Sequence, residues 1–180
     1  MKIFGIDPGS ERTGYGCIES IGGRRRLVLC GSLSGPAGAT FPEKLQAIHA
    51  GLRELLLTSQ PDFVAVEDIF YARNVRSALK LGHARGVALL AASESSLPIA
   101  EYSPAEIKRA VVGYGRAEKT QVQQMIKLLL GLSEVPSPHD AADALAVAIC
   151  HLHHGTGAMA DRVRADAPRP AARSWRAWRP

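Results

Sequence analysis

Lys2-Ile3-Phe4-Gly5-Ile6-Asp7-Pro8-Gly9 is the stretch on which the fold turns. A short apolar run ends in a carboxylate, and Pro8-Gly9 stops it at once. That pattern predicts a buried strand with an acid at its C-terminal end. Downstream, Asp62 to Val66 predicts a second short buried strand, and it too runs into acids, Glu67-Asp68. In open α/β sheets, ligands gather at the C-terminal edge of the strands. Two such strands side by side put Asp7 and Glu67 within reach of one cation. A single acid at a strand end is more simply a solvated loop residue, so the pairing needs a further element.

Outward from these strands the pattern alternates. Thr13 to Ser20 and Arg26 to Ser32 are β-rich runs joined through Gly22-Gly23, which predicts a hairpin. Thr40-Phe41-Pro42-Glu43 has capping-box spacing, and Leu45, Ile48, Leu52, Leu55 and Leu56 share one face of the helix that follows. Asn74 to Ser95 predicts a long helix rich in small residues, among them Gly82, Ala84, Gly86 and Ala88. Leu97 to Glu101 reads as a fifth strand. Ser103-Pro104 opens a short helix through Val112, and Gly113 to Gly115 is a flexible turn. Glu118 to Leu130 is amphipathic, and a last helix spans roughly His139 to His154. The order predicts an α/β fold: a mixed five-stranded sheet flanked by helices, with an antiparallel hairpin unit extended by parallel strands. Residues 1–154 form one domain. Beyond Gly155 the pattern dissolves into Ala, Arg and Pro, which predicts a disordered basic tail over 155–180.

Bulk properties narrow the class. Hydrophobic residues at 46% and charged residues at 22% fit a globular chain and argue against disordered or fibrous classes. No apolar run approaches a membrane span, and Asp7 interrupts any signal-peptide core, so a cytoplasmic protein is expected. Cys17, Cys30 and Cys150 are odd in number and far apart, which predicts reduced thiols. The tail carries 6 − 2 = +4 of the net +5, so high pI alone says little about nucleic acid.

The last helix supplies the further element. Asp140 and Asp143 in His139-Asp140-Ala141-Ala142-Asp143-Ala144-Leu145-Ala146 are three apart and share a helical face. Asp140 suits the helix dipole as a first-turn acid. Asp143 sits in a helix apolar nearly all round, where an unpaired carboxylate costs several kcal/mol. A divalent cation is the natural compensation. Asp7, Glu67, Asp140 and Asp143 make a hard-oxygen set suited to Mg2+, with Mn2+ able to substitute. Two ions about 3.5–4 Å apart would serve in-line attack on a phosphodiester. Cys150, His151, His153 and His154 lack a second ligand pair and read as a solvated helix terminus rather than a zinc site.

Gly5-Ile6-Asp7-Pro8-Gly9 with Thr13-Gly14-Tyr15-Gly16, Val66-Glu67-Asp68-Ile69-Phe70, and Ser77 to Val87 resemble three successive segments of the RuvC family. Val111 to Lys119 and Asp140 to Ala146 complete five ordered motifs, spread from about residue 1 to 154. The resemblance implies a ribonuclease H-like fold and the four acids as metal-binding catalytic residues. It implies a Holliday junction endonuclease that acts as a homodimer on four-way junction DNA. It cuts two opposing strands to leave 5′-phosphate and 3′-hydroxyl ends, with the RuvAB branch-migration complex as partner.

Phe70, Tyr71, Arg73, Asn74 and Arg76 follow directly on Glu67, and aromatics interleaved with basic groups suit unstacked bases and phosphates. The bland alternative is Phe70 as core beneath the loop; the resemblance makes it a wedge at the junction centre. Lys80 lies in the third motif and joins the candidate DNA contacts. Lys108, Arg109, Arg116 and Lys119 flank the glycine turn and can follow a phosphate backbone, unless they form an ordinary solvated face. The resemblance favours Lys108 and Lys119 near the cut. Three rivals remain: an actin-like ATPase, for which 180 residues are too few; a junction-binding module without chemistry; and another ribonuclease H-like nuclease.

Overall fold

Alternation along β1 (Lys2–Asp7) divides the core in two. Strand side chains point to opposite faces in turn. Phe4 and Ile6 pack on one side with Val64 and Val66, while Ile3 and Ala65 pack on the other. A computed structural model describes residues 1–68 and 74–166, with side chains described as far as Gly155.

β2 (Arg12–Ile21) and β3 (Arg24–Ser34) form the expected hairpin. Gly22 and Gly23 have φ of +56° and +80°, the positive pair that a tight two-residue turn requires. β4 (Phe63–Glu67) and β5 (Ile99–Tyr102) complete a five-stranded sheet in the order β3-β2-β1-β4-β5. β1 pairs antiparallel with β2 and parallel with β4, and β4 pairs parallel with β5. This is the mixed sheet that the sequence predicts.

Helices α1 (Phe41–Ser59) and α2 (Val75–Glu94) cover one face. Thr40 caps α1 through the predicted box, its amide donating to Glu43 Oε2 at 2.6 Å. Asn74 caps α2 by accepting from the Ser77 amide at 2.9 Å. The other face carries α3 (Pro104–Val112), α4 (Lys119–Leu129) and α5 (His139–Asp166). Ala141, Ala142 and Ala144 to Cys150 are all buried, which makes α5 the central helix of that layer. It continues to Asp166, well past the end expected near His154, so residues 155–166 are helical where a disordered tail is expected, and the rest of that tail, 167–180, lies outside the described residues. The three cysteines are free, as expected. Among the described residues no helix is long and apolar enough to cross a membrane.

Candidate metal centre and nucleic-acid interface

The register fixes which acids can meet. Asp7 lies on the same face of β1 as Ile3 and Gly5, and Glu67 on the same face of β4 as Ala65. Both therefore face the α5 layer. α5 can come close because β1 and β2 are bare there. A Cβ on Gly5 would stand 2.1 Å from the Ala144 carbonyl oxygen, and one on Gly14 2.1 Å from that of Asp140. The first turn of α5 is thus laid against the strand ends.

As a result, carboxylate oxygens of Asp7, Asp140 and Asp143 lie within 4.8 Å of one another. Glu67 stands outside that trio but within hydrogen-bonding reach of Asp7. Burial, with the Glu67 charge and hydrogen bond next and then Asp143 and Asp140, pushes the Asp7 carboxyl up to about 9. Burial raises Glu67 as well, against the Asp7 hydrogen bond and, more weakly, the pull of Lys119 and Lys108. Asp143 is about one-fifth exposed (21%), less buried than the sequence suggests, and it has a partner: Lys119 Nζ at 2.5 Å. Burial works to lower the Lys119 pKa, but its bond to Asp143 and the surrounding acids hold it above the usual lysine value.

The donors fit a divalent ion. They are all carboxylate oxygens, crowded enough to raise Asp7, and no thiol or imidazole joins the trio. Hard-oxygen sets of this kind suit Mg2+ or Mn2+ rather than zinc.

Two adjoining hollows open beside the acids. One, of about 630 Å³, is lined by Asp7, Glu67, Leu81, Pro104, Lys108 and Gly115 among others. The other, of about 200 Å³, lies between Glu67, Lys108, Lys119 and Asp143. Lys108 and Lys119 thus stand at the acids. Arg116 is exposed in the glycine turn. Asn74 and Arg76 are exposed at the start of α2, and the Asn74 side-chain oxygen is engaged as the helix cap. Lys80 sits 5.4 Å from the Phe41 ring centroid, on the α1 side of the molecule. Phe70, Tyr71 and Arg73 lie outside the described residues.

Three features escape a reading of the sequence alone. Gly5 and Gly14 seat the last helix, a contact across more than a hundred residues. Buried Gln123 on α4 bonds His139 at 3.0 Å, next to Asp140. Arg85 on α2 pairs with Asp68 at 3.1 Å and with Glu101. The histidines at the far end of the last helix are not simply solvated. His151 Nδ1 meets the Tyr102 hydroxyl at 2.8 Å, and His153 Nδ1 donates to the Ala110 carbonyl at 2.8 Å.

Comparison with known proteins follows the same lines. The family described as "Crossover junction endodeoxyribonuclease RuvC" matches residues 3–151. A protein of that name from Pelotomaculum thermopropionicum is 53% identical over 156 residues, covering 87% of this chain and 95% of the relative. Another, from Citrifermentans bemidjiense, is 53% identical over 165 residues, covering 91% and 100%. The structure of Thermus thermophilus RuvC in complex with Holliday junction substrate superposes with a TM-score of 0.83 at 36% identity, covering 88% of this chain and 96% of that one. The fold shared with it is ribonuclease H-like.

Proposed function

Because the chain belongs to the crossover junction endodeoxyribonuclease RuvC family, we propose that it resolves Holliday junctions in DNA recombination and repair, with Asp7, Glu67, Asp140 and Asp143 as its metal-binding catalytic acids. The observation that carries the reading is the convergence of Asp7, Asp140 and Asp143, with Glu67 alongside, at one edge of the sheet.

Two Mg2+ ions per subunit, with Mn2+ as substitute, would be held by these four acids. When bound, such ions supply the positive charge that activates an attacking water and offsets charge on the leaving oxygen. The chain's own groups do the rest. Asp7 and Asp143 present oxygens from opposite walls, one from strand and one from helix. Asp140 extends the Asp143 wall by one helical turn. Lys119 Nζ holds Asp143 in place. Lys108, between the two hollows, meets the phosphate that enters them. The expected products are nicks with 5′-phosphate and 3′-hydroxyl ends, placed symmetrically on strands of like polarity.

Paired nicks call for two sites related by a two-fold axis, hence a homodimer. The small residues of α2 divide by face. Ala84, Ala88, Ala91 and Ala92 are buried against the chain's own sheet. Gly82 and Gly86 have open space above them, and the surrounding surface carries exposed Leu79 and Leu90. That outer face supports a contact with a second copy. The nuclease unit is residues 1–154, with the arginine-rich remainder as an appendage. The family resemblance supports the RuvAB complex as partner and the cytoplasm as the place of action. Asn74, Arg76, Lys80 and Arg116, together with Phe70, Tyr71 and Arg73, are assigned to the DNA surface on the same footing.

Substrate choice is tested by competition. A labelled four-way junction is incubated with Mg2+ and an excess of unlabelled junction, linear duplex or RNA–DNA hybrid, and the nicked product is then treated with ligase. Only unlabelled junction should suppress cutting, and ligase should reseal the nicks. Equal suppression by hybrid would make the protein a different ribonuclease H-like nuclease.

A further inference from the structure

Glu67 is the last residue of β4, within hydrogen-bonding reach of Asp7. Asp7 lies beside it and Asp143 adds further repulsion. A restraint acts on the residue that follows, which lines the same hollow as Asp7 and Glu67. Asp68, the next residue, meets Arg85 of α2 at 3.1 Å, and the same guanidinium nitrogen contacts Glu101 of β5. The Asp68 amide donates to the Tyr102 carbonyl at 2.8 Å, extending the parallel ladder one residue past Glu67. Arg85 is mostly enclosed, at 23% exposure, and its Nε is buried without a hydrogen-bond acceptor among the described residues. A buried guanidinium with an unsatisfied donor is held by its acids and not by solvation.

We propose that Arg85 is a positioning residue for Glu67: the Arg85–Asp68–Glu101 clamp ties α2, β4 and β5 together at the strand end and keeps Glu67 beside Asp7. The inference rests on the reading of Glu67 as a metal-binding acid. Arg85 itself touches neither the acid trio nor the two lysines. Its effect passes through the strand end, where a displacement of about 1 Å is enough to spoil a catalytic geometry.

The test uses R85M, R85K, D68N and the R85M/D68N pair in the full chain. Four quantities are read: the single-turnover cutting rate at saturating enzyme, junction affinity without divalent ions, Mn2+ affinity by calorimetry, and thermal unfolding. R85M should lose about 10- to 100-fold in cutting rate and several-fold in Mn2+ affinity, with junction affinity nearly unchanged. Higher Mn2+ should restore part of the rate. R85K should keep an intermediate rate, and D68N, which leaves the Arg85–Glu101 contact in place, should fall between wild type and R85M. The double variant should be no worse than R85M alone, because D68N removes an interaction that R85M has already lost. Cutting by R85M at the wild-type rate overturns the clamp. So does a loss of junction affinity in step with rate, which would make Arg85 a DNA contact. So does additivity in the pair. If R85M does not fold, D68N and R85K decide by the same criteria. If the wild type leaves junctions uncut, the proposed function fails, while the Mn2+ affinities still report on the clamp.

Discussion

Asp7 is half-buried among three other carboxylates, so without a cation its ionisation works against folding. The folded state holds its proton up to about pH 9, whereas an unfolded aspartate loses it near 3.8. Between those values the folded protein binds the extra proton, so the contribution of Asp7 to stability is greatest at low pH and falls as pH rises, by up to about 1.4 kcal/mol per unit. The metal-free wild type should therefore melt at progressively lower temperature from pH 5 to pH 8, and D7N should show a flatter profile. Adding Mg2+ at pH 8 should raise the wild-type melting temperature by mass action, and D7N should respond far less. Parallel profiles for the two proteins would remove Asp7 from the cluster. Lys119 makes a complementary case. It orients Asp143 from a largely exposed position, so K119M should change stability by less than about 1 kcal/mol, while cutting falls about 10- to 100-fold. A melting shift as large as the activity loss would make the lysine structural. All four acids are legible in sequence, two as strand ends and two as a helical pair. The Lys119 partnership is not, because it joins two helices whose relative placement only the fold defines.

Helix α5 is the element on which the site depends, and glycines on the sheet decide how near it comes. G14A would press a Cβ into the Asp140 carbonyl, and G5A one into that of Ala144. Each should cost about 1–3 kcal/mol by overpacking and should shift the first turn of α5, with cutting lost even where the protein stays folded. G155A is the control, since nothing lies within 4 Å of its Cβ and alanine is favoured over glycine within a helix. Thermal melting and cutting rate of the three variants distinguish these outcomes; a G14A protein that melts and cuts like wild type would contradict the seating of α5. Most elements are readable from pattern, because alternation, capping boxes and glycine turns are local signals. The end of α5 is not. Beyond His154 the apolar periodicity fades, yet Ala158 to Asp166 is composed mainly of residues with good helix propensity, and the helix runs on to Asp166.

At the scale of the whole molecule, topology follows from order: an antiparallel hairpin unit, then two parallel additions, gives β3-β2-β1-β4-β5. That order places Asp7 and Glu67 on neighbouring parallel strands, which is why the fold and the acid site are read together. The outer face of α2 is less legible, because the same small residues suit a core or a partner. Leu79, 60% exposed on that face, provides the test. L79E should leave the fold intact but shift the protein to monomer in sedimentation, and the second nick of each pair should be delayed or lost. A dimer unaffected by L79E would place the interface elsewhere.

The most direct test of the whole account is a nick map on a mobile four-way junction labelled in turn on each strand, with and without Mg2+, for wild type and D143N, alongside a binding measurement. The account predicts paired, symmetric, Mg2+-dependent nicks by the wild type, and a D143N protein that binds the junction and leaves it whole. Nicking by D143N at the wild-type rate, or by the wild type without any divalent ion, would contradict it.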